Sequence, residues 1–407
     1  VLIDNVKSKN PPSALGHRRV TILGSSGSIG TSALDVIAHL SEHLSVAGLS
    51  VNRSLATLVD QAHRFHPQAV AVADADSARE LDGDALPRET RLLIGEDGIR
   101  ELASDPSTDI VVLAIVGAVG LIGTWAALEA GKTVALANKE TLVVAGPLVM
   151  QLAKQRSAKL LPVDSEHSAI FQALAGSKPE QVRRIVLTAS GGPFRGMTRK
   201  QLANATPDEA LNHPTWRMGR KITVDSATLM NKALEVIEAH WLFDLPMEKI
   251  EVVIHPESLI HSFVEFADGS VLAQLSPPDM RLPIQFALTY PERLSGPAKR
   301  LDWTTLGTIH FEAPDRETFP ALDLGYEVAR VGGTAGAVLN AANETAVKSF
   351  LAGELRFLDI PRVCRDVLTH HHFRANPSLE ELWAADRAAR HEVTKWTNAR
   401  MTTAMSR

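Results

Sequence analysis

Cysteine is nearly absent from this sequence: Cys364 is the single one among 407 residues. That excludes an internal disulfide framework and suits a reducing compartment. Excess positive charge is absent too. Lys and Arg number 42 against 47 Asp and Glu, a net charge of −5, so nothing points to a nucleic-acid-binding surface. The sequence contains no internal repeat and no low-complexity tract. The first residues, through about His17, are polar and Pro-containing and lack the apolar core of a signal peptide, so they read as a poorly ordered tail. One stretch lacks charge altogether. Ile110 to Leu128 has the length of a membrane span, but Gly117, Gly120 and Gly123 interrupt it. Its β-branched first part reads as a buried parallel strand, and the remainder as a loop and helix.

What is present is an ordinary globular composition, 45% hydrophobic and 22% charged, in a chain long enough for two or three domains. From Arg19 strands alternate with helices. The candidate strands are Val20–Leu23, Ser45–Leu49, Ala69–Ala73, Leu92–Ile94, Ile110–Val116, Thr133–Ala137 and Leu160–Val163, with helical patterns at Thr31–Leu40 and Leu55–Phe65 among them. Such repeated units predict a parallel sheet covered on both faces. Beyond Asp164 the pattern changes to α+β. A helix is expected over Ser226–Leu242, and an antiparallel meander over Ile250–Ile254, Ser262–Phe266 and Val271–Leu275, with a hairpin at Asp268-Gly269. The fold class expected is α/β, with a Rossmann-type N-terminal domain, an α+β central domain and a C-terminal α-helical domain. The expected boundaries are a tail over 1–18, then 19–163, 164–289 with a flap at about 210–221, a Pro-rich linker over 290–321, and helices over 322–407. Pro361 and Pro377 are read as helix breaks.

The first strand runs into Gly24-Ser25-Ser26-Gly27-Ser28-Ile29-Gly30 and then a helix. Glycines at this spacing let backbone amides approach a pyrophosphate, whose charge a helix N-terminus favours. After the second strand, where an NAD-binding fold usually carries an acid, stand Asn52-Arg53-Ser54. Arg53 is suited to a ribose 2′-phosphate, which favours NADPH. Asn138-Lys139-Glu140 follow the strand Thr133–Ala137, where ligands lie in such sheets. Lys139 could bind substrate oxygens, and Asn138 could equally cap the next helix.

The segment Leu160–Phe171, LLPVDSEHSAIF, ends a buried strand in Asp164-Ser165-Glu166. Two carboxylates held together need a proton, solvation or a cation, and a hard divalent metal takes carboxylate oxygens while leaving positions for a substrate. Further on, Ser190-Gly191-Gly192 offers a hydroxyl and amides suited to phosphate. The stretch Asn212 to Lys221 mixes cations, His213 and Trp216 around Pro214, and reads as a flap in which Trp216 could cover a substrate. Ser226 is placed near a helix start. Asn231, Lys232 and Glu235 share one helix side, where they could hold a phosphate and complete a metal site. His255 and His261 read as structural, and His370-His371-His372 cannot all reach one ion from a helix.

The motifs GSSGSIG, LANKE, PVDSEH, LTASGGPF, HPTWRMGRKITVDSATLMNKALEVIEA and NAANE together make the chain resemble the 1-deoxy-D-xylulose 5-phosphate reductoisomerase family, from about Arg19 into the C-terminal helices. The resemblance implies NADPH-dependent conversion of that sugar phosphate to 2-C-methyl-D-erythritol 4-phosphate, in non-mevalonate isoprenoid biosynthesis, by a homodimer. It implies metal ligands at Asp164, Glu166 and Glu235 for magnesium or manganese, with cobalt a further candidate. Substrate contacts fall on Lys139, Ser165, Glu166, Ser190, His213, Ser226, Asn231, Lys232 and Glu235. NADPH contacts fall on Ser26, Gly27, Ser28, Ile29, Asn138, Glu140 and Gly219. Many members have AGKN where this chain has Val51-Asn52-Arg53-Ser54. Arg for Lys preserves 2′-phosphate recognition, and Ser26 keeps the hydroxyl of the Thr frequent at its position. Retro-aldol and ketol-shift routes both stay open. The rival readings are a two-domain NADP dehydrogenase of another phosphorylated substrate, which as a semialdehyde dehydrogenase would need a Cys nucleophile, and a non-enzymatic NADPH-binding protein. No nucleic acid or membrane partner is expected, and the location is a bacterial cytoplasm or a plastid stroma.

Overall fold

Short runs of aliphatic residues give seven strands: β1 (Arg18–Leu23), β2 (Leu44–Val51), β3 (Ala69–Val72), β4 (Arg91–Ile94), β5 (Ile110–Leu113), β6 (Thr133–Leu136) and β7 (Leu160–Pro162). The computed structural model describes residues 16–405, so all but the end of the expected tail lies outside the described residues. The strands pair in parallel in the order β4-β3-β2-β1-β5-β6-β7. β5 is buried at every residue, as a strand covered on both faces must be. Pro162 lacks a backbone donor and closes the edge strand β7, where the loss is tolerated. The strand order reverses between β1 and β5, which opens a crevice at their carboxyl ends. Among the described residues, no helix is long and apolar enough to cross a membrane; the uncharged stretch is β5, a loop and the helix Gly120–Glu129.

The described chain divides into two compact units that are not contiguous segments. The first runs to Thr141 and adds Val149–Pro179 and Asp279–Arg300; the second holds Leu142–Leu148, Glu180–Pro278 and the chain from Leu301 onward. Helix Arg281–Thr289, which the sequence pattern did not disclose, belongs to the first unit.

The second unit is built on a four-stranded sheet of β8 (Val182–Ala189), β9 (Ile250–Ile254), β10 (Ile260–Phe266) and β11 (Val271–Leu275). Its order is β11-β10-β8-β9. The hairpin at Asp268-Gly269 joins β10 to β11 as expected, with Gly269 at φ +87°. The three-strand meander does not form: β9 lies beyond β8 and runs parallel to it. The connection from β8 to β9 carries helix Met230–Phe243, and a connection of that length permits a parallel neighbour.

The helix expected over Ser226–Leu242 is also two helices, Arg220–Ala227 and Met230–Phe243. Leu229 takes a left-handed conformation, φ 60° and ψ 11°, and the Thr228 hydroxyl turns back onto the carbonyls of Val224 and Asp225. Ser226 therefore lies in the last turn of a helix, not near a start. The segment from Tyr290 to Pro320 has no helix or strand of its own beyond a bridge between Ile254 and Glu312. Helices Ala321–Val331, Ala335–Leu351, Asp359–His370 and Leu379–Met405 follow. Pro377 falls between helices as expected. Pro361 instead sits in the first turn of a helix, where its missing N–H costs nothing.

Candidate active site

In the first unit, the loop after β1 is shaped by close approach. Gly24 has φ +92°, and a Cβ there would stand 2.7 Å from the carbonyl oxygen of Ala114, just past β5. A Cβ on Gly30 would stand 2.3 Å from the oxygen of Gly24. Only glycine fits at either place. Helix Ser28–His39 begins at Gly27 with no side-chain cap, so its first amides are available to an anion. Ser26, Gly27, Ser28 and Ile29 line this turn at the crevice between β1 and β5. Two residues not singled out from sequence, Ser50 and Gln61, hold the loop. Ser50 Oγ accepts from Gly24 N at 3.1 Å, the Ser50 carbonyl accepts from Ser25 N at 2.8 Å, and Gln61 Nε2 donates to the Ser25 carbonyl at 3.0 Å.

Asn52, Arg53 and Ser54 follow β2 and are exposed. The acid missing after β2 stands after β3: Arg53 Nη2 lies 3.2 Å from Asp74 Oδ1. Bonds from the Ser77 hydroxyl and amide, and then from Arg53, hold the Asp74 carboxyl below its ordinary value.

Asn138, Lys139 and Glu140 follow β6 and are all buried. The Asn138 side chain is committed to the protein. Its Nδ2 donates to the carbonyls of Ile115 and Gly117 and to Glu140 Oε2, and its Oδ1 accepts from Thr141 N at 2.9 Å. It caps and ties together the ends of β5 and β6. Lys139 Nζ lies 2.5 Å from Oδ2 of Asp164, at the end of the neighbouring β7. Asp164 N-caps helix Ser165–Ala173, its Oδ1 accepting from Ser165 N at 3.0 Å. Ser165 Oγ donates to Glu166 Oε2 at 2.6 Å. His167, which sequence reasoning passed over, is fully buried with Nδ1 4.0 Å from Asp164 Oδ2. The expected pair of carboxylates thus stands at a helix N-terminus, which favours their charge, beside a buried ammonium.

In the second unit, Ser190 directly follows β8, and Gly191 and Gly192 both have positive φ, +84° and +68°. A Cβ on Gly192 would stand 2.6 Å from the carbonyl oxygen of Ser226, so the loop lies directly on the last turn of helix Arg220–Ala227. His213 connects the two hydroxyls, with Nε2 3.0 Å from Ser190 Oγ and 3.2 Å from Ser226 Oγ. Its Nδ1 accepts from the amides of Thr215 and Trp216 at 3.1 and 3.0 Å. An Nδ1 that accepts carries no proton, so the neutral ring has its hydrogen on Nε2. Burial lowers the His213 pKa, in keeping with that neutral form. Ser190 Oγ also accepts from Gly192 N at 3.2 Å, which leaves the serine hydrogen for an anion. Trp216 is half-buried, its ring 6.3 Å from that of His261. Gly219 opens helix Arg220–Ala227 without a side-chain cap.

Asn231 and Lys232 lie in the first turn of helix Met230–Phe243, and both donate to the Glu235 carboxylate one turn on. Lys232 and Glu235 are 3% and 1% exposed, so this is a buried, charge-assisted cluster. The expected shared face is therefore present. His255 and His261 are structural, as read: His255 Nε2 accepts from the amides of Leu259 and Ile260, and His261 Nε2 contacts Ser276. Burial pushes the His261 pKa down to about 4, so the ring is neutral. His370 and His371 contact backbone carbonyls of their own helix. Cys364 is fully buried, and burial raises its thiol pKa, the opposite of an activated nucleophile.

Family models match in three blocks. Residues 20–146 match 1-deoxy-D-xylulose 5-phosphate reductoisomerase, residues 160–243 its C-terminal domain, and residues 275–392 a DXP reductoisomerase C-terminal domain. The 1-deoxy-D-xylulose 5-phosphate reductoisomerase of Symbiobacterium thermophilum is 54% identical over 378 residues, covering 91% of this chain and 96% of that protein. That of Geobacillus kaustophilus is 54% identical over 375 residues, covering 92% and 98%. Among solved structures, the Zymomonas mobilis enzyme in complex with NADPH superposes with TM-score 0.88 at 45% identity, covering 94% of this chain and 99% of the other. A DOX-P reductoisomerase in complex with NADPH, fosmidomycin and magnesium superposes with TM-score 0.88 at 41% identity, covering 94% and 98%. With matches at this level along nearly its whole length, the chain belongs to the 1-deoxy-D-xylulose 5-phosphate reductoisomerase family.

Proposed function

We infer that this chain catalyses the NADPH- and divalent-metal-dependent rearrangement and reduction of 1-deoxy-D-xylulose 5-phosphate to 2-C-methyl-D-erythritol 4-phosphate. The observation that carries this is the relative of the same fold solved with NADPH, fosmidomycin and magnesium. The residues fit the groups. The Gly24–Gly30 turn is a cradle that a Cβ would fill, at the site where a parallel sheet takes a pyrophosphate. NADPH would be held by Ser26, Gly27, Ser28 and Ile29, with Arg53 on the 2′-phosphate, and it would supply the hydride. Asn52, Ser54, Asn138, Glu140 and Gly219 are proposed to complete its surroundings, Asn138 by holding the strand ends.

Asp164, Glu166 and Glu235 are proposed to hold a magnesium or manganese ion. In support, all three are hard oxygen donors; the ammoniums of Lys139 and Lys232 pair with Asp164 and Glu235 in the metal-free chain. Such an ion supplies Lewis-acid polarisation of a substrate carbonyl. The remaining work falls to the chain. Ser190, Ser226, Asn231 and Lys232 bind the phosphate, which is remote from the reacting bonds and orients them. His213 holds the two hydroxyls as donors. Ser165 and Lys139 hold substrate oxygens, and Trp216 on the flap excludes water. The thiol-dependent dehydrogenase reading is disfavoured by the inert Cys364.

Purified protein given the substrate, NADPH and manganese should oxidise NADPH with loss of absorbance at 340 nm, and EDTA should stop it. NADPH loss that persists undiminished in EDTA would overturn the metal dependence; no oxidation at all would overturn the function.

In domain terms, residues 19–163 are proposed to serve NADPH, 164–289 catalysis and dimerisation, 290–321 as linker, and 322–407 as a helical support. A homodimer is proposed because β11 is an edge strand with Val271 and Leu272 half-exposed, an edge that a second copy would cover. Sedimentation equilibrium should give twice the chain mass; a monomer at micromolar concentration would refute it. A cytoplasmic location suits the lone buried thiol, and cell fractionation tests it.

A further inference from the structure

Asp225 precedes Ser226 in the sequence and is 1% exposed, yet it has no part in the phosphate or metal chemistry described above. Both of its carboxylate oxygens are engaged. Oδ1 accepts from Asn343 Nδ2 at 2.8 Å, and Oδ2 lies 3.0 Å from Lys221 Nζ, one turn earlier on the same helix. Asn343 is fully buried in helix Ala335–Leu351 of the C-terminal region. A buried carboxylate with two directional partners fixes more than position: apolar packing tolerates small rotations that such bonds do not.

Helix Arg220–Ala227 needs that constraint. It has eight residues, no side-chain cap at Gly219, and a left-handed residue, Leu229, soon after its end. Its last turn must nevertheless present Ser226 Oγ to His213 Nε2 at 3.2 Å while Gly192 presses on the Ser226 carbonyl. The C-terminal region buttresses the next helix as well, since a Cβ on Gly325 would stand 2.5 Å from the carbonyl oxygen of Ala233.

We propose that Asn343 and Asp225 are positioning residues of the phosphate site, through which the C-terminal helices set the orientation of Ser226. The proposal rests on the reading that Ser226 binds the substrate phosphate. It explains why a helix remote from the chemistry carries a buried amide aimed at a buried acid, and it gives the C-terminal region a part in substrate recognition.

The test compares 1-deoxy-D-xylulose 5-phosphate with its dephosphorylated form, 1-deoxy-D-xylulose, as substrates of the full-length protein. Asn343→Leu should lower kcat/KM for the phosphorylated substrate about tenfold, the size of a lost hydrogen bond to a charged group. It should leave the dephosphorylated substrate within about twofold and the KM for NADPH unchanged. The swap Asp225→Asn with Asn343→Asp, which retains a hydrogen bond of reversed polarity, should recover most of the loss. Equal losses for both substrates, or no loss in a folded Asn343→Leu protein, would overturn the proposal. Should that variant not fold, Lys221→Met decides the matter. Lys221 is 19% exposed, and its loss should produce the same selective defect at about threefold; an unchanged ratio of the two substrates overturns the proposal. Failure of the unmutated protein to turn over the phosphorylated substrate would instead strike the functional reading itself.

Discussion

Glu235→Gln abolishes turnover, lowering kcat/KM by at least about 10³-fold, and leaves NADPH binding unchanged. Glutamine is nearly isosteric, but it turns an amide NH2 toward one of the two donors that Glu235 accepts from and strands the buried Lys232 ammonium, so the kinetics are read on variant protein whose fold circular dichroism has verified. What disappears is a negative charge. A hard divalent cation takes carboxylate oxygens far better than an amide oxygen, and the Lewis-acid contribution to a carbonyl reaction is several kcal/mol, each ~1.4 kcal/mol being tenfold in rate. The Gly24–Gly30 loop, proposed to hold NADPH, belongs to the other compact unit, and its contacts are with Ser50, Gln61 and Ala114. Fluorescence titration with NADPH should therefore give the unmutated Kd, while manganese titration shows weaker binding. Normal turnover by the variant would remove Glu235 from the metal set.

The loop at Gly24 was legible because its cause is local. A strand, three glycines and a helix within a dozen residues admit few geometries, and the strict requirement at Gly24 and Gly30 is a matter of backbone contact. The acid pair at Asp164 and Glu166 was legible for the same reason, since a buried strand that runs into two carboxylates leaves them at its end. The juxtaposition of Lys139 with Asp164 needs one more step, the knowledge that β6 and β7 are parallel neighbours, so that their carboxyl ends lie side by side.

What sequence pattern could not supply were contacts set by distant partners and turns without their usual residues. Nothing in Thr228-Leu229-Met230 signals a helix break, because neither Gly nor Pro is there. The left-handed Leu229 is held by the surrounding packing and by the Thr228 hydroxyl, a case of tertiary context overriding propensity. The place of β9 beside β8 depends on how an intervening helix crosses, which alternation of side chains does not encode. Asp74 meets Arg53 only because β3 pairs with β2. The tautomer of His213 follows from two amides that converge on Nδ1 once the Pro214 turn is formed.

Lys232→Met separates stability from activity and probes the same acid from the other side. Lys232 and Glu235 form an ion pair with both side chains almost wholly buried. Removing the ammonium leaves the Glu235 carboxylate with the Asn231 amide among its partners, and stranding a buried charge typically costs about 3–5 kcal/mol. Metal-free Lys232→Met should therefore unfold at clearly lower urea than the unmutated protein. A divalent ion bound at Glu235 would restore a counter-charge, so saturating manganese should recover much of that stability, by mass action on the folded state alone. Activity should not follow. If Lys232 binds the phosphate as proposed, the variant loses a charge-assisted partner of about 1.5–3 kcal/mol, and kcat/KM should stay down by about 10²-fold with metal saturating. Urea melts with and without manganese, run beside steady-state kinetics, measure both quantities on one preparation. If manganese stabilises Lys232→Met no more than it stabilises Glu235→Gln, then Glu235 is not a metal ligand, and the ion pair with Lys232 is a structural feature of the helix alone.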